Sequence, residues 1–290
     1  MGYKFKPELY LRPKSIKETT NALMKYGKAA KIIAGGTDLL VDKPEETRVL
    51  VDITGLNLGY IEGTEQGLHI GATATFNKIH DSPFLIQQPY RMIAEAAWEV
   101  GHYNLRNIAT VGGNICNAVP SADAPVALIA LDTEVVISGP EVERNVPLLR
   151  LFRYVRETSL NSGEFLKELV IPPQPRNTGT SFQKIGRTKI DIALINVACR
   201  LSLKKGAVHD SRIVLGAVAP TPLRAYEAEK GLKDEKVTPE IVEKVAGFAA
   251  EATRPIDDVR SSAEYRREMT RVLTRRAILD AYEKALGVSG

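Results

Sequence analysis

Apolar residues along the chain gather in short runs, some contiguous as in buried strands and some spaced at helical intervals. Charged residues cut every run before the ~18 residues that a membrane span would need. Ser15-Ile16-Lys17-Glu18 is a capping box, with serine at the N-cap and glutamate three residues on. The helix it opens should turn Leu23 and Met24 inward and stop near Gly27. A buried strand is expected over 29–34, a second over 48–53 that ends in the turn residues Gly55 and Asn57, and a short third over 67–71. Met92, Ala96 and Val100 share one face of a helix over 92–100, and Trp98 and Tyr103 read as core or edge packing. Another helix opens within 120–125, where Asp123 and Pro125 suit the first turn, and 134–138 reads as a strand. The segment 171–179, with Pro172, Pro173, Pro175 and Gly179, is the clearest boundary. Beyond it, strands are expected over 181–185, 193–203 and 212–218. Two helices close the chain, one at Thr238-Pro239-Glu240 and one near Ser261, where Glu264 completes a second capping box. This order describes an α+β architecture rather than a doubly wound sheet.

Two glycine pairs punctuate the pattern: Ala34-Gly35-Gly36-Thr37-Asp38, directly after a strand, and Thr110-Val111-Gly112-Gly113-Asn114. Glycine accepts positive φ and lets a ligand approach the backbone, and successive N–H groups at such a turn form a concave donor site for anionic oxygens. Two such loops far apart in sequence suit a ligand with two phosphates and a long body, such as FAD; taken alone, either string is more often only a tight turn. Neither is Gly-x-Gly-x-x-Gly, so the usual dinucleotide fingerprint is absent.

Composition narrows the chemistry. At 290 residues the chain has room for two domains or one large core. Its N-terminal residues form no apolar signal-peptide core, which places it in the cytoplasm unless a partner carries it out. Cys116 and Cys199 are the only cysteines, too few for the four ligands of an iron–sulfur cluster, so any cluster belongs to another chain. Cys116, just after the second loop, reads as a small buried side chain rather than a redox group. His69, His80, His102 and His209 lack metal-ligand spacing, and neither a nucleophile elbow nor a Walker loop is present, so no metal site and no catalytic side chain is expected. Arginines crowd the tail at 254, 260, 266, 267, 271, 275 and 276. Glu264, Glu268 and Asp280 interleave with them, which favours an ion-paired or subunit-docking helix face over a nucleic-acid surface.

The text around the glycine pairs, 31–40 and 105–114, resembles the two flavin-binding signatures of the FAD-binding, or medium, subunits of molybdenum hydroxylases of the carbon monoxide dehydrogenase and xanthine dehydrogenase type. Tyr10-Leu11-Arg12-Pro13-Lys14-Ser15 is similar to the opening of that family, and His69-Ile70-Gly71-Ala72-Thr73 to its next strand and turn. Ala263-Glu264-Tyr265-Arg266 with Arg275-Arg276-Ala277 is similar to its C-terminal helix, so the resemblance spans nearly the whole chain in order. It implies a two-subdomain FAD-binding fold of the vanillyl-alcohol oxidase and enolpyruvyl reductase type over 1–172, divided near 57. A linker over 173–179 and a C-terminal α+β flavoprotein domain over 180–290 should follow.

The resemblance also implies non-covalent FAD. Ile32 and Ile33 would lead into Ala34, Gly35, Gly36, Thr37, Asp38 and Leu39 around the pyrophosphate, with Asp38 turned away to brace the loop through backbone contacts. Thr110, Val111, Gly112, Gly113 and Asn114 would meet the diphosphate and ribityl portion, and Ala72 and Leu105 would line the adenine and chain pocket. Asp123 would bond a hydroxyl of the ribityl or adenosine half, though it is equally at home as an N-cap. Leu166 would pack at the isoalloxazine. Lys184 would lie near its pyrimidine end, where a cation favours the reduced flavin; an exposed edge-strand lysine is the other reading. Ile190 and Ile192 stand where relatives can carry polar or aromatic residues, which leaves the acceptor open.

The implied function is an FAD-carrying electron-transfer subunit in a dimer of heterotrimers. A molybdopterin large subunit would oxidise the substrate, a [2Fe–2S] small subunit would relay electrons, and the flavin would pass them to NAD+, a quinone or another carrier. A stand-alone flavin reductase and a non-catalytic scaffold stay as alternatives. The first lacks an evident proton donor, and the intact glycines weigh against the second.

Overall fold

In the computed structural model, which describes residues 5–287, β1 (Leu9–Leu11), β2 (Ala30–Ile33) and β3 (Val49–Asp52) form a parallel sheet in the order β1-β3-β2. The helix Ile16–Tyr26 connects the first two strands. Ser15 Oγ accepts from the Glu18 N–H at 3.2 Å, the Glu18 carboxylate accepts from the Lys14 N–H at 2.7 Å, and Gly27 ends the helix at φ 51°. Leu23 is buried with Ala30, Val49 and Val51, but Met24 is 52% exposed rather than turned inward. One step along a helix rotates the side chain by about 100°, so only one of two adjacent residues can sit on the row that faces the sheet. β2 is also less buried than expected: Lys31, Ile32 and Ile33 are half-buried because a cleft opens beside them.

A second sheet is antiparallel. It comprises β4 (Ile61–Thr64), β5 (Gly67–Gly71), β6 (Glu134–Ser138) and β7 (Glu143–Pro147). After a small hairpin of β8 (Phe152–Tyr154) and β9 (Glu157–Thr158), β10 (Phe165–Ile171) enters at its centre, giving the order β4-β5-β10-β6-β7. The sequence pattern does not announce β10. A bulge between Leu166 and Glu168 shifts its pairing with β6, and the extra residue breaks the two-residue alternation by which a strand is recognised.

The third sheet joins β11 (Thr178–Ile185), β12 (Ile195–Lys204), β13 (Ala207–Gly216) and β14 (Leu223–Arg224) in sequence order. β13 begins well before the strand expected from 212. Lys205 at φ 54° and Gly206 at φ 79° make a two-residue left-handed turn directly after β12. β12 is buried along all but its last residue, with the helix Ala124–Ala130 and the C-terminal helix Ala263–Ala285 both packed against it. Its apolar residues Ile195, Val197, Cys199, Leu201 and Leu203 alternate with positions that include the buried polar Asn196, Arg200 and Ser202. The C-terminal helix is capped by Ser262, whose Oγ accepts from the Tyr265 N–H at 3.2 Å, and not by Ser261 with Glu264. Ser261 is held in a turn, its N–H donating to Asp258 Oδ1 at 3.2 Å. Arg266, 2% exposed, donates to Asp258 Oδ1 at 2.8 Å and to the Ala217 carbonyl at 3.0 Å, while Arg271 pairs with Glu243 on the preceding helix. Much of the arginine-rich tail is therefore tied into the fold. Among the described residues no helix is long and apolar enough to cross a membrane.

Candidate cofactor site

A cleft of about 990 Å³ lies where the three larger sheets approach one another, at the upper end of the ~300–1,000 Å³ typical of small-molecule sites. Ile32, Ile33, the run 34–39, Ala72, Leu105, Thr110, Gly112, Gly113, Asn114, Asp123, Leu166 and Lys184 all line it. Val111 does not, contrary to expectation. Its side chain is 1% exposed in the core of the second sheet, and its N–H donates to the Ala74 carbonyl at 3.0 Å.

The two glycine loops present different surfaces. In the first, Gly36 takes φ 68°, and the N–H groups of Gly35, Gly36, Thr37 and Asp38 meet no acceptor among the described residues. Four successive unpaired main-chain donors around a left-handed residue form a cradle for anionic oxygens. In the second, the donors are already used. The Gly112 N–H goes to the Ala72 carbonyl at 2.9 Å, that of Gly113 to Thr110 Oγ1 at 3.2 Å, and that of Asn114 to the Thr110 carbonyl at 3.0 Å. This loop is the capped start of the helix Val111–Asn117. What it offers is Asn114 Oδ1, buried and without a partner among the described residues, an acceptor that a ligand hydroxyl or N–H can satisfy.

Backbone packing also explains two of the glycines. A Cβ on Gly35 would lie 1.9 Å from the Ile108 carbonyl oxygen, and one on Gly112 would lie 2.6 Å from that of Ala72. The first loop therefore rests directly on the chain leading into the second. The Asp38 carbonyl accepts from the N–H groups of Val41 at 2.9 Å and Asp42 at 2.8 Å, bracing the turn that follows the first loop, and its carboxylate feels the charge of Arg156. Although the residue faces solvent overall, desolvation of its carboxylate, and then neighbouring Asp42, raise it above the ordinary range. Arg156 pairs with Asp42, and together with Lys28 and Lys31 it places cations along the same end of the cleft.

Elsewhere in the lining, Asp123 and Lys184 are bonded to each other, Nζ to Oδ2 at 2.7 Å, with each side chain 5% exposed. Lys184 also donates to the Glu99 carbonyl at 2.8 Å, and the Glu99 carboxylate lies 3.9 Å away. Asp123 Oδ1 accepts from Asn196 Nδ2 at 2.6 Å. Asp123 precedes the helix Ala124–Ala130 without capping it through its side chain. Burial pushes its carboxyl up to about 6, against the opposing pull of Lys184 and Asn196. Lys184 is thus neither a lone cation nor an exposed edge lysine; it faces the cleft as half of a buried pair.

The sequence pattern gave no sign of Lys28, Glu99, Arg156 or Asn196. Asn196 had one available signal, a polar residue inside the apolar run of β12. Arg106, within the second signature, is 4% exposed and donates to the carbonyls of Val100 at 3.2 Å and Gly101 at 3.1 Å, fixing the bend behind Glu99. Trp98 is 42% exposed and serves as edge packing, its ring 4.3 Å from the Arg106 guanidinium. Tyr103, 59% exposed, packs into no core. Ile190 and Ile192, both more than half exposed, border the cleft. No cluster of potential metal ligands occurs among the described residues.

Cys116 lines the cleft beside Leu166, but burial pushes its thiol up to about 12, and burial raises the Cys199 thiol as well. Thiolate is the reactive form. The folded protein should therefore leave a chromogenic disulfide reagent unreacted at pH 8 and release two equivalents only on unfolding; rapid reaction of native protein would show that Cys116, half-buried in the cleft wall, keeps an accessible thiolate.

Residues 3–174 match the family described as the FAD binding domain in molybdopterin dehydrogenase, and residues 180–281 match the CO dehydrogenase flavoprotein C-terminal domain. The glyceraldehyde dehydrogenase medium chain of Sulfolobus acidocaldarius is 30% identical over 281 residues, covering 94% of this chain and 98% of that one. The carbon monoxide dehydrogenase medium chain of Afipia carboxidovorans is 32% identical over 282 residues, covering 95% and 97%. Among solved structures, a carbon monoxide dehydrogenase from Hydrogenophaga pseudoflava that lacks the Mo-pyranopterin moiety of its molybdenum cofactor superposes with a TM-score of 0.91 at 32% identity, covering 96% of this chain and 98% of that chain.

Proposed function

This chain belongs to the FAD-binding, or medium, subunits of the molybdenum hydroxylases of the carbon monoxide dehydrogenase and xanthine dehydrogenase type, and from that premise we propose that its cleft holds one non-covalent FAD stretched from the first glycine loop to the Asp123–Lys184 pair. The observation that carries this reading is the row of unpaired N–H groups at 35–38, lining the same cleft as a buried ion pair. FAD supplies the electron-carrying chemistry; the protein binds it, orients it and sets the charge around it.

The cradle, with Lys28, Lys31 and Arg156, balances the diphosphate. Asn114 Oδ1 takes a hydroxyl of the flexible middle, and each Asp123 oxygen keeps a lone pair for another. Ala72 and Leu105 wall the adenine half. Ile32, Ile33 and Leu166 keep water from the apolar body of the cofactor, and Ile190 and Ile192 frame the side from which an acceptor approaches.

The wider assignment follows the same premise. Electrons arrive singly from a [2Fe–2S] subunit after a molybdopterin subunit oxidises the substrate, and leave for NAD+, a quinone or another carrier. The assembly is a cytoplasmic dimer of heterotrimers. Within this chain, residues 1–172 bind FAD and 180–290 form the C-terminal domain that contributes Lys184; of the 173–179 linker, Thr178 and Gly179 already pair in β11 of the C-terminal sheet. The purified chain should show flavin absorption bands, release free FAD on acid or heat treatment, and co-purify with iron when expressed with its partners. A colourless chain that takes up no added FAD would overturn the reading.

A further inference from the structure

Asn196 is fully buried on β12, and its Nδ2 donates to Asp123 Oδ1 at 2.6 Å and to the Ala122 carbonyl at 3.3 Å. Its Oδ1 is buried with no partner among the described residues. An unmatched buried acceptor is unfavourable, so a stronger contact must dictate the orientation. Turned the other way, the amide would set Oδ1 against the Asp123 carboxylate. The fold also reserves room for this rotamer. Gly216 is the cross-strand neighbour of Asn196, and a Cβ there would fall 1.9 Å from Oδ1.

We propose that Asn196 is a positioning residue for the flavin site, donating to Asp123 Oδ1 so that the carboxylate stays ionised and its Oδ2 neutralises Lys184. The proposal rests on the FAD reading above. Asn196 belongs to the C-terminal sheet and Asp123 to the segment that opens the helix Ala124–Ala130, so the charge at the cleft is set across the junction between them. The charged groups acting on Asp123 are Lys184 of β11 and Glu99 at the end of the helix Arg91–Trp98; Glu99 disfavours ionisation of Asp123, and Lys184 and Asn196 favour it. Without the amide donor, Asp123 takes up a proton at higher pH. Lys184 then faces the cleft as a net cation, which favours adding electrons to a flavin.

The test is a cycle of variants in the full chain. In Asn196→Leu, the infrared carboxyl band assigned to Asp123 should titrate at higher pH than in the unsubstituted protein, already in the FAD-free chain. With FAD bound, the reduction equilibrium at pH 7 should move about tenfold toward the reduced form, some 30 mV for a two-electron couple. In an Asp123→Asn background, where that band is gone, the same substitution should leave the reduction equilibrium unmoved, because no titrating carboxylate is left to position. Asn196→Ser, whose hydroxyl is too short to reach Asp123, should repeat the result if the leucine variant folds poorly. Equal shifts of the reduction equilibrium in both backgrounds, or none in either, would overturn the positioning role. Failure of the unsubstituted chain to bind FAD would overturn the reading beneath it, and absorbance settles that before any potential is measured.

Discussion

Gly35→Ala should weaken FAD binding on the order of 100-fold, the ~3 kcal/mol expected when a well-packed contact is overfilled. The added Cβ would sit 1.9 Å from the Ile108 carbonyl oxygen and 3.2 Å from the Ala109 Cα, both main-chain atoms that cannot swing aside. One loop has to move, and moving the first disperses the row of N–H groups at 35–38. Gly113→Ala is the matched control. Its Cβ would lie 3.0 Å from one side-chain atom, Thr110 Oγ1, so binding should stay within about tenfold of the unsubstituted protein. Fluorescence quenching of added FAD, with circular dichroism to confirm folding, reads both. Equal affinities for the two variants would show that the loops do not depend on each other.

Lys184→Met should lower stability by about 3–5 kcal/mol at pH 8, because it leaves the Asp123 carboxylate buried without its counter-ion. The sign of the pH dependence follows from Asp123. Its folded value, about 6, lies above the ~3.9 of an unfolded aspartate, so the folded state binds the extra proton between them and stability falls as pH rises through that window. Removing Lys184 raises the folded value further and extends the loss to higher pH. The deficit of the variant should therefore shrink toward pH 5, where Asp123 is protonated, and Asp123→Asn combined with Lys184→Met should recover much of it. Urea melts at pH 5 and pH 8 measure both effects. A deficit independent of pH, unrelieved by the second substitution, would mean that Lys184 contributes through its hydrocarbon stem rather than its charge.

The features legible in the sequence were those whose cause lies within a few residues. Ser15 and Thr238 cap the helices expected of them because a side-chain oxygen needs only the N–H three residues on. The run over 193–203 announced a strand, and the glycine pairs marked two of the segments that line the cleft.

Where the outcome depended on a neighbour far along the chain, local signals ran out. Whether Ser261 or Ser262 caps the last helix turned on Asp258 claiming one of them, and β10 was hidden by a bulge that has meaning only against β6. The glycines of the two loops look alike in sequence. Only the tertiary structure left the donors at 35–38 free while consuming those at 111–114, because Ala72, Ala74 and Thr110 supply acceptors to the second loop alone. It likewise made Asp123 and Lys184 partners and added Asn196. A buried charge takes whichever counter-charge the packing brings within about 3 Å, and that choice is made when sheets meet, not along the chain.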